Sequence, residues 1–213
     1  MKSPLLLMSY FVLSIFITGC CSEEKENYLT KNNIKGDVKS IIEESYYATV
    51  RFGEIEKGKR ENYIEVEFNK EGNLVETISY NSDGSIKYKY KSEYDEEGNK
   101  VERIKYKSNG SVDYQDTYEY DEEGNQVEMI SYNSDGSIDY KETYEYDEEG
   151  NKVEKIKYNS YGSIDFKYKY EYDEEGNQEE EIGYDSDGSI LYKFKYEYDE
   201  KGNEVERISY DSD

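Results

Sequence analysis

Polar and apolar positions alternate along most of this chain, and short glycine-bearing segments break the alternation at regular intervals. From residue 138, Ile138, Tyr140, Glu142, Tyr144 and Tyr146 fall on one side, and Asp139, Lys141, Thr143 and Glu145 on the other. The next two copies read Ile164, Phe166, Tyr168, Tyr170, Tyr172 and Ile190, Tyr192, Phe194, Tyr196, Tyr198. A period of two written in aromatic and branched residues predicts β-strands, because a helix would scatter these rings around its circumference.

The interruptions are as regular as the strands. Tyr94-Asp95-Glu96-Glu97-Gly98-Asn99 returns at Tyr120, Tyr146, Tyr172 and Tyr198, each 26 residues after the last. Tyr80-Asn81-Ser82-Asp83-Gly84-Ser85 returns in step at Tyr106, Tyr132, Tyr158, Tyr184 and, cut short, Tyr210. Self-similarity at this spacing marks an array of one supersecondary unit. In Tyr132-Asn133-Ser134-Asp135-Gly136-Ser137-Ile138 the glycine falls where a three-residue hairpin loop needs a left-handed residue. This predicts a type I turn with a bulge, Asn133 opposite Ser137 and Tyr132 opposite Ile138. The turn from Asp147 to Asn151 has the same form, so each repeat is two strands and two turns. If Asp147 pairs with Asn151, simple alternation puts Tyr140 opposite Tyr158 and Glu142 opposite Ile156. Ile156 and Tyr158 then join the aromatic face, and Val153, Lys155 and Lys157 the charged one. The valine position reads Val101, Val127, Val153 and Val205 but Glu179 in one copy, which predicts a wet site.

The expected fold is all-β: a repetitive antiparallel meander of about a dozen strands, a single-layer or curled sheet built from 26-residue double-hairpin repeats. Residues 69–213 form the repeats and 34–68 a non-repeat cap, with Asp37 to Val50 and Glu61 to Phe68 as its first two strands. The last strand is expected to be an edge guarded mainly by charge. Strands roughly 30 Å long at about 4.8 Å spacing give an aromatic face above about 1,000 Å². A patch that large calls for a cover: the sheet curling on itself, a second copy, or a ligand. The candidate binding residues on it are Tyr140, Tyr144, Tyr146, Phe166, Tyr168, Tyr170, Tyr192, Phe194 and Tyr196.

The first residues read differently. Lys2 followed by an apolar stretch from Leu5 to Ile17 is too short to span a bilayer and reads as a secretory signal over residues 1–19. Ile17-Thr18-Gly19-Cys20 resembles a bacterial lipobox, which implies cleavage before Cys20 and acylation of that residue. Two or three acyl chains, at about 0.8 kcal/mol per buried methylene, would hold the protein on a membrane. Cys21 is the only other cysteine, so no disulfide framework is expected. Residues 20–33 are polar and read as an acidic tether, similar to the segment behind the lipidated cysteine of surface-exported lipoproteins in some Gram-negative bacteria. The expected location is the cell envelope, lipid-anchored at the outer membrane, facing either the surface or the periplasm.

Charge and composition narrow the chemistry. The formal net charge is −24 and 37% of residues are charged, while 15% are aromatic, which argues for a fold over disorder. Nucleic acid and anionic lipid headgroups are poor partners for such a field, which leaves a basic protein, a cation or no electrostatic partner. The chain has no histidine, so histidine-dependent triads and imidazole acid–base catalysis are excluded. No enzyme activity, cofactor or metal is expected. Asp185-Ser186-Asp187-Gly188 resembles the opening of a calcium loop but lacks the later ligands, and reads as a plain turn.

The unit Tyr-Glu-Tyr-Asp-Glu-Glu-Gly-Asn, followed by a strand and then Ser-Asp-Gly-Ser, resembles the YD repeats of the RHS family and the variant MORN repeats of bacterial hairpin proteins. The resemblance covers Phe68 to Asp213 and implies hairpins in a long curling sheet. The Arg-Leu that commonly follows the YD-repeat glycine is here Asn plus a polar residue, and toxin delivery is not carried over. The expected function is a non-enzymatic, lipid-anchored envelope repeat protein for surface interaction, adhesion or spacing. Alternatives are carbohydrate or cell-wall binding through the aromatic face, or a periplasmic scaffold or immunity role. Expected partners are the membrane through the N-terminal lipid, a protein or glycan, and a second copy of the chain.

Overall fold

A computed structural model describes residues 7–12 and 27–211. Cys20 and Cys21 lie outside the described residues, as does most of the segment expected to be a signal. The chain divides into two compact units, 1–115 and 116–213. Unit 1 holds β1 (Leu7–Val12), α1 (Tyr28–Lys31), β2 (Ser40–Arg51), β3 (Glu54–Phe68), β4 (Leu74–Tyr80), β5 (Ile86–Tyr94), β6 (Lys100–Lys107) and the start of β7 (Val112–Tyr120). Unit 2 holds the rest of β7, then β8 (Gln126–Asn133), β9 (Ile138–Tyr146), β10 (Lys152–Asn159), β11 (Ile164–Tyr172), β12 (Gln178–Tyr184), β13 (Ile190–Tyr198) and β14 (Glu204–Asp211). Within each unit, the strands pair antiparallel in chain order, as the all-β meander predicts.

The turns have the chemistry their residues dictate. The amide of Asn133 donates to the carbonyl of Ser137 (2.8 Å), that of Gly136 to the carbonyl of Asn133 (3.0 Å), and Tyr132 lies opposite Ile138. Gly136 sits at φ 81° and Gly150 at φ 84°, left-handed conformations in which a Cβ is strained. In the acidic turn, one carboxylate oxygen of Asp147 accepts the Asn151 amide (2.7 Å) and the other accepts the Asn151 side chain (3.1 Å). The same pair of bonds returns at Asp95/Asn99, Asp121/Asn125 and Asp173/Asn177.

Simple alternation fails beyond the turns, because the strands on either side carry a second irregularity. Lys152 lies opposite Tyr146 and Glu154 opposite Glu145, which leaves Val153 as an extra, bulged residue. Val101, Glu179 and Val205 fall in the same bulge, which explains how one copy accepts glutamate; Glu179 is exposed. The bulge corrects the predicted register by one residue. Tyr140 lies opposite Asn159, Glu142 opposite Lys157, Tyr144 opposite Lys155, Thr143 opposite Ile156 and Lys141 opposite Tyr158. Directly opposed residues share a face. Lys155 and Lys157 therefore stand among the rings, while Ile156 and Tyr158 stand on the reverse face. A matching bulge after the Ser turn, at Asp139, Asp165 and Leu191, moves Ile138, Ile164 and Ile190 to the reverse face, opposite Tyr132, Tyr158 and Tyr184.

The cap also differs from expectation. β3 starts at Glu54 rather than Glu61, so β2 and β3 form one long hairpin closed by Phe52-Gly53. Within the expected tether, Tyr28–Lys31 makes one helical turn capped by Asn27, whose side-chain oxygen accepts the amides of Leu29 and Thr30. Leu29 is buried with Val38, Ile41 and Phe68, and Ile34, Val66 and Leu74 pack against them. Leu7–Val12, part of the expected signal, runs along β2 from Leu7 opposite Tyr47 to Val12 opposite Ile42.

Candidate functional site

The tyrosines that open four of the acidic turns, Tyr94, Tyr146, Tyr172 and Tyr198, are structural pins. The β8/β9 ladder ends at Glu128 opposite Thr143, so the carbonyl of Gln126 lies beyond it, and the hydroxyl of Tyr146 donates to that carbonyl at 3.0 Å. Tyr94 caps the Leu74 carbonyl (2.8 Å), Tyr172 the Lys152 carbonyl (2.9 Å) and Tyr198 the Gln178 carbonyl (3.0 Å) in the same way. Each bond reaches 20 residues back, and it gives a partner to a backbone group that the ladder leaves behind.

The other predicted ring residues lie on one face of unit 2 and are all half-buried, as is Tyr146. Their cover is local: long polar side chains from the flanking strands lie over them. The Lys157 ammonium is 4.6 Å from the centre of the Tyr140 ring, and that of Lys152 is 4.5 Å from Tyr144. Phe166 is opposite Lys157, Tyr168 lies between Lys155 and Gly183, and Tyr170 is opposite Glu181. Tyr192, Phe194 and Tyr196 form a run with centroid spacings of 5.0 and 6.4 Å, and the Arg207 guanidinium is 5.4 Å from Phe194. The Tyr192 ring folds over Gly183, where a Cβ would come within 2.6 Å of it. Ser79 and Ser131, the counterparts of Gly183, are buried opposite Tyr88 and Tyr140.

Carboxylates punctuate this face. Glu142 accepts from the Tyr144 hydroxyl (2.6 Å) and pairs with Lys155 (2.9 Å). Glu181 accepts from Tyr192 (2.7 Å), and the buried Asp116 from Ser131 (2.8 Å). Burial, then the bond to Glu142, pushes the Tyr144 phenol well above its ordinary range, and burial pushes Tyr170 up to about 12. Burial pushes the Lys152 ammonium down, with Lys155 adding to the effect. Both phenols are held neutral, and Tyr144 serves as a donor.

The reverse face is the more regular of the two, and simple alternation missed it. It carries Glu, Ile and Tyr from the strand after every acidic turn, and from β4 to β12 the glutamate makes an ion pair or hydrogen bond across to the next strand. Glu76 meets Lys89 (2.7 Å), Glu154 meets Lys167 (2.6 Å), Glu180 meets Lys193 (2.6 Å), and Glu128 meets Lys141. Glu102 has Gln115 in that place, at 2.6 Å. Every partner stands 13 residues on from its glutamate. A signal for this ladder is in the sequence: Glu, Ile and Tyr recur unchanged at residues 76, 78, 80 and at every 26-residue step to 206, 208, 210.

Unit 1 adds an open, polar cleft of about 280 Å³ between β2–β3 and the β4–β5 turn, with Lys59, Arg60 and Lys87 in its wall beside Tyr47, Glu61 and Asn81. Among the described residues no cluster of three potential metal ligands occurs. In the calcium-like turn, Asp185 and Asp187 accept the Ser189 amide, and Asp187 also the Ser189 hydroxyl.

No protein-family model matches the chain, and no curated protein matches its sequence. Solved structures do. The crystal structure of TcdB2-TccC3-Cdc42 shares 15% identity at a TM-score of 0.43 over 83% of this chain and 11% of that one. The Photorhabdus luminescens Tc holotoxin pore shares 15% at 0.42, over 84% and 11%. A porin-like protein from Bacteroides uniformis shares 10% at 0.42, over 83% of this chain and 84% of that chain. The chain thus spans about a tenth of the toxin chains it matches. TM-scores of 0.42 and 0.43 carry neither fold nor function across to this chain, whose tandem β-hairpins are established by its own strand pairings.

Proposed function

We propose that the chain is a non-enzymatic repeat protein of the bacterial cell envelope, anchored by a lipid on Cys20, whose hairpin array serves surface contact or spacing. One observation carries this reading. The most strictly repeated residues are engaged with one another: the turn Asp and Asn, the pinning tyrosines and the Glu–Lys ladder. Each added repeat therefore extends the same surface instead of completing a pocket. The anchor and the envelope location rest on the lipobox-like Ile17-Thr18-Gly19-Cys20, and the YD-like architecture on the Tyr-Asp and Gly pattern of the turns. In-frame deletion of whole 26-residue repeats should reduce cell adhesion or matrix retention stepwise. If deletion leaves every surface property unchanged, the contact reading fails. Protease treatment of intact against permeabilised cells separates a surface array from a periplasmic scaffold or immunity protein.

A second reading, glycan binding through the ring face, is favoured by the run of Tyr192, Phe194 and Tyr196. A glycan array should then show binding that Tyr196→Ala weakens, and an array without hits ends that reading.

A further inference from the structure

The β2–β3 hairpin differs from every hairpin of the repeats. β3 pairs with β4 only from Tyr63 to Phe68, and β2 with β1 only from Leu7–Val12 against Ile42–Tyr47. Beyond those ladders the two strands pair with each other alone, to a tip closed by Arg51 opposite Glu54 and Val50 opposite Ile55. The part free on both sides runs from Ala48 opposite Lys57 to Arg51 opposite Glu54, roughly 10 Å at about 3.3 Å per residue. The hairpin is held close where Gly58 passes the Tyr47 carbonyl, since a Cβ there would stand 2.6 Å from that oxygen.

The tip is unlike a turn chosen for the turn's sake. Phe52 and Gly53 have φ of 54° and 87°, the two left-handed residues of a hairpin loop that normally takes Asn-Gly. A bulky phenylalanine in that conformation is strained, and it is also fully exposed at 101%; Val50 is 73% and Ile55 57% exposed. The surroundings are basic in an acidic chain. Residues 50–62 carry four cations (Arg51, Lys57, Lys59 and Arg60) and three carboxylates (Glu54, Glu56 and Glu61), against a chain total of −24. Arg51 lies 4.0 Å from Glu56, Arg60 3.5 Å from Glu44, and the Lys57 ammonium 3.5 Å from the centre of the Tyr46 ring, while among the described residues Lys59 has no carboxylate within ion-pair distance.

We propose that this fingertip seats in the interface of an anionic lipid bilayer, with Phe52 below the headgroups, Val50 and Ile55 at their boundary, and Arg51, Lys57 and Lys59 among them. The dimensions agree. The three apolar side chains occupy the last two residue pairs and the loop, roughly 5–10 Å of depth, which is the depth to which interfacial elements bury their apolar side. The last pair, Arg51 opposite Glu54, stands between Phe52 and the Val50–Ile55 pair, so the seat is shallow, and Lys57 and Lys59 follow up the hairpin, where the headgroup charge lies. A convex apolar tip needs no groove in its partner, and its positive flank complements anionic lipid while the acidic body stays outside.

The chain has no tryptophan, so Phe52→Trp places a single reporter at the tip. The full chain carrying Cys20→Ser, which excludes an acyl anchor, would be mixed with vesicles of phosphatidylcholine alone or with phosphatidylglycerol. The expected result is a blue shift of the tryptophan emission, and quenching by brominated lipid, with the anionic vesicles only. Lys57→Gln should weaken that partition about fivefold, which is the roughly 1 kcal/mol per cation of a charge near an anionic surface. No shift with anionic vesicles overturns the proposal, as does an equal shift with zwitterionic ones. A shift without vesicles that grows with protein concentration overturns it in favour of docking on a second copy. Val50→Trp serves as the reporter if Phe52→Trp loses the native circular dichroism spectrum.

Discussion

Tyr172→Phe removes one oxygen and nothing else from the turn-opening tyrosines, and so tests the pin directly. The Tyr172 hydroxyl donates to the Lys152 carbonyl at 2.9 Å, and the β10/β11 ladder has already ended at Glu154 opposite Lys169. No backbone amide of β11 takes over when the hydroxyl is gone. An intramolecular hydrogen bond is worth about 0.5–1.5 kcal/mol net, and a carbonyl left dry costs about 1–3 kcal/mol. Tyr172 is half-buried, so water reaches the site in part and about 1 kcal/mol is expected. Tyr161→Phe is the control: that ring is 92% exposed and lies in a turn. Its loss should stay within about 0.5 kcal/mol of zero. Urea unfolding followed by circular dichroism gives both numbers, with an unchanged m-value showing that stability alone moved. The four replacements at Tyr94, Tyr146, Tyr172 and Tyr198 are well separated and should add to about 4 kcal/mol. If Tyr172→Phe costs no more than Tyr161→Phe, the pin is only a contact between groups that water would satisfy equally well.

Further predictions follow from the ladder and the titrating groups. Glu180→Gln should cost about 1 kcal/mol, less in high salt, because a carboxylate with 12% side-chain exposure sits 2.6 Å from Lys193 and 3.7 Å from Lys195; a double-mutant cycle with Lys193→Met isolates the pair. The turn aspartates give an acid transition. Bonds from the side chains of Asn177, Asn203 and Ser137 hold Asp173, Asp199 and Asp135 below their ordinary 3.8, so their contribution is present above pH 3.8 and is lost as pH falls below it. A circular dichroism titration should therefore show unfolding beginning only below that value, and Asp173→Asn should flatten its slope. At alkaline pH the sign reverses. The bond to Glu65 raises Tyr63 to about 12 and burial raises Tyr170 to about 12, so stability present below pH 10.0 is lost as pH rises toward 12. Tyrosinate absorbance should rise in two steps, the second coinciding with loss of the β signal, and a single step near 10 with the fold intact would refute it.

The strands, the turns and the repeat were legible in the sequence because each is decided by residues that touch locally. Gly136 and Gly150 stand where the backbone needs a left-handed residue, and Asp147 bonds to Asn151 four positions on, so a short window contains the whole cause. The half-buried state of the rings, and which residues flank them, were not legible. Val153 and Asp139 bulge out of their ladders, and every residue beyond a bulge turns to the other face. Whether a residue is paired or bulged is settled by the neighbouring strand, which alternation within one strand does not contain. Lys155 and Lys157 thus changed places with Ile156 and Tyr158, and a face expected to be bare aromatic became one of rings covered by lysines. The pins escaped for the same reason: a tyrosine hydroxyl finds a carbonyl 20 residues earlier only after the hairpin between them has formed. The overhang of β2 and β3 carries no alternation through Glu54 to Arg60, and its extension is fixed by mutual pairing across Phe52-Gly53. Local chemistry chose the elements of this protein, and strand pairing chose which side of each strand its residues occupy.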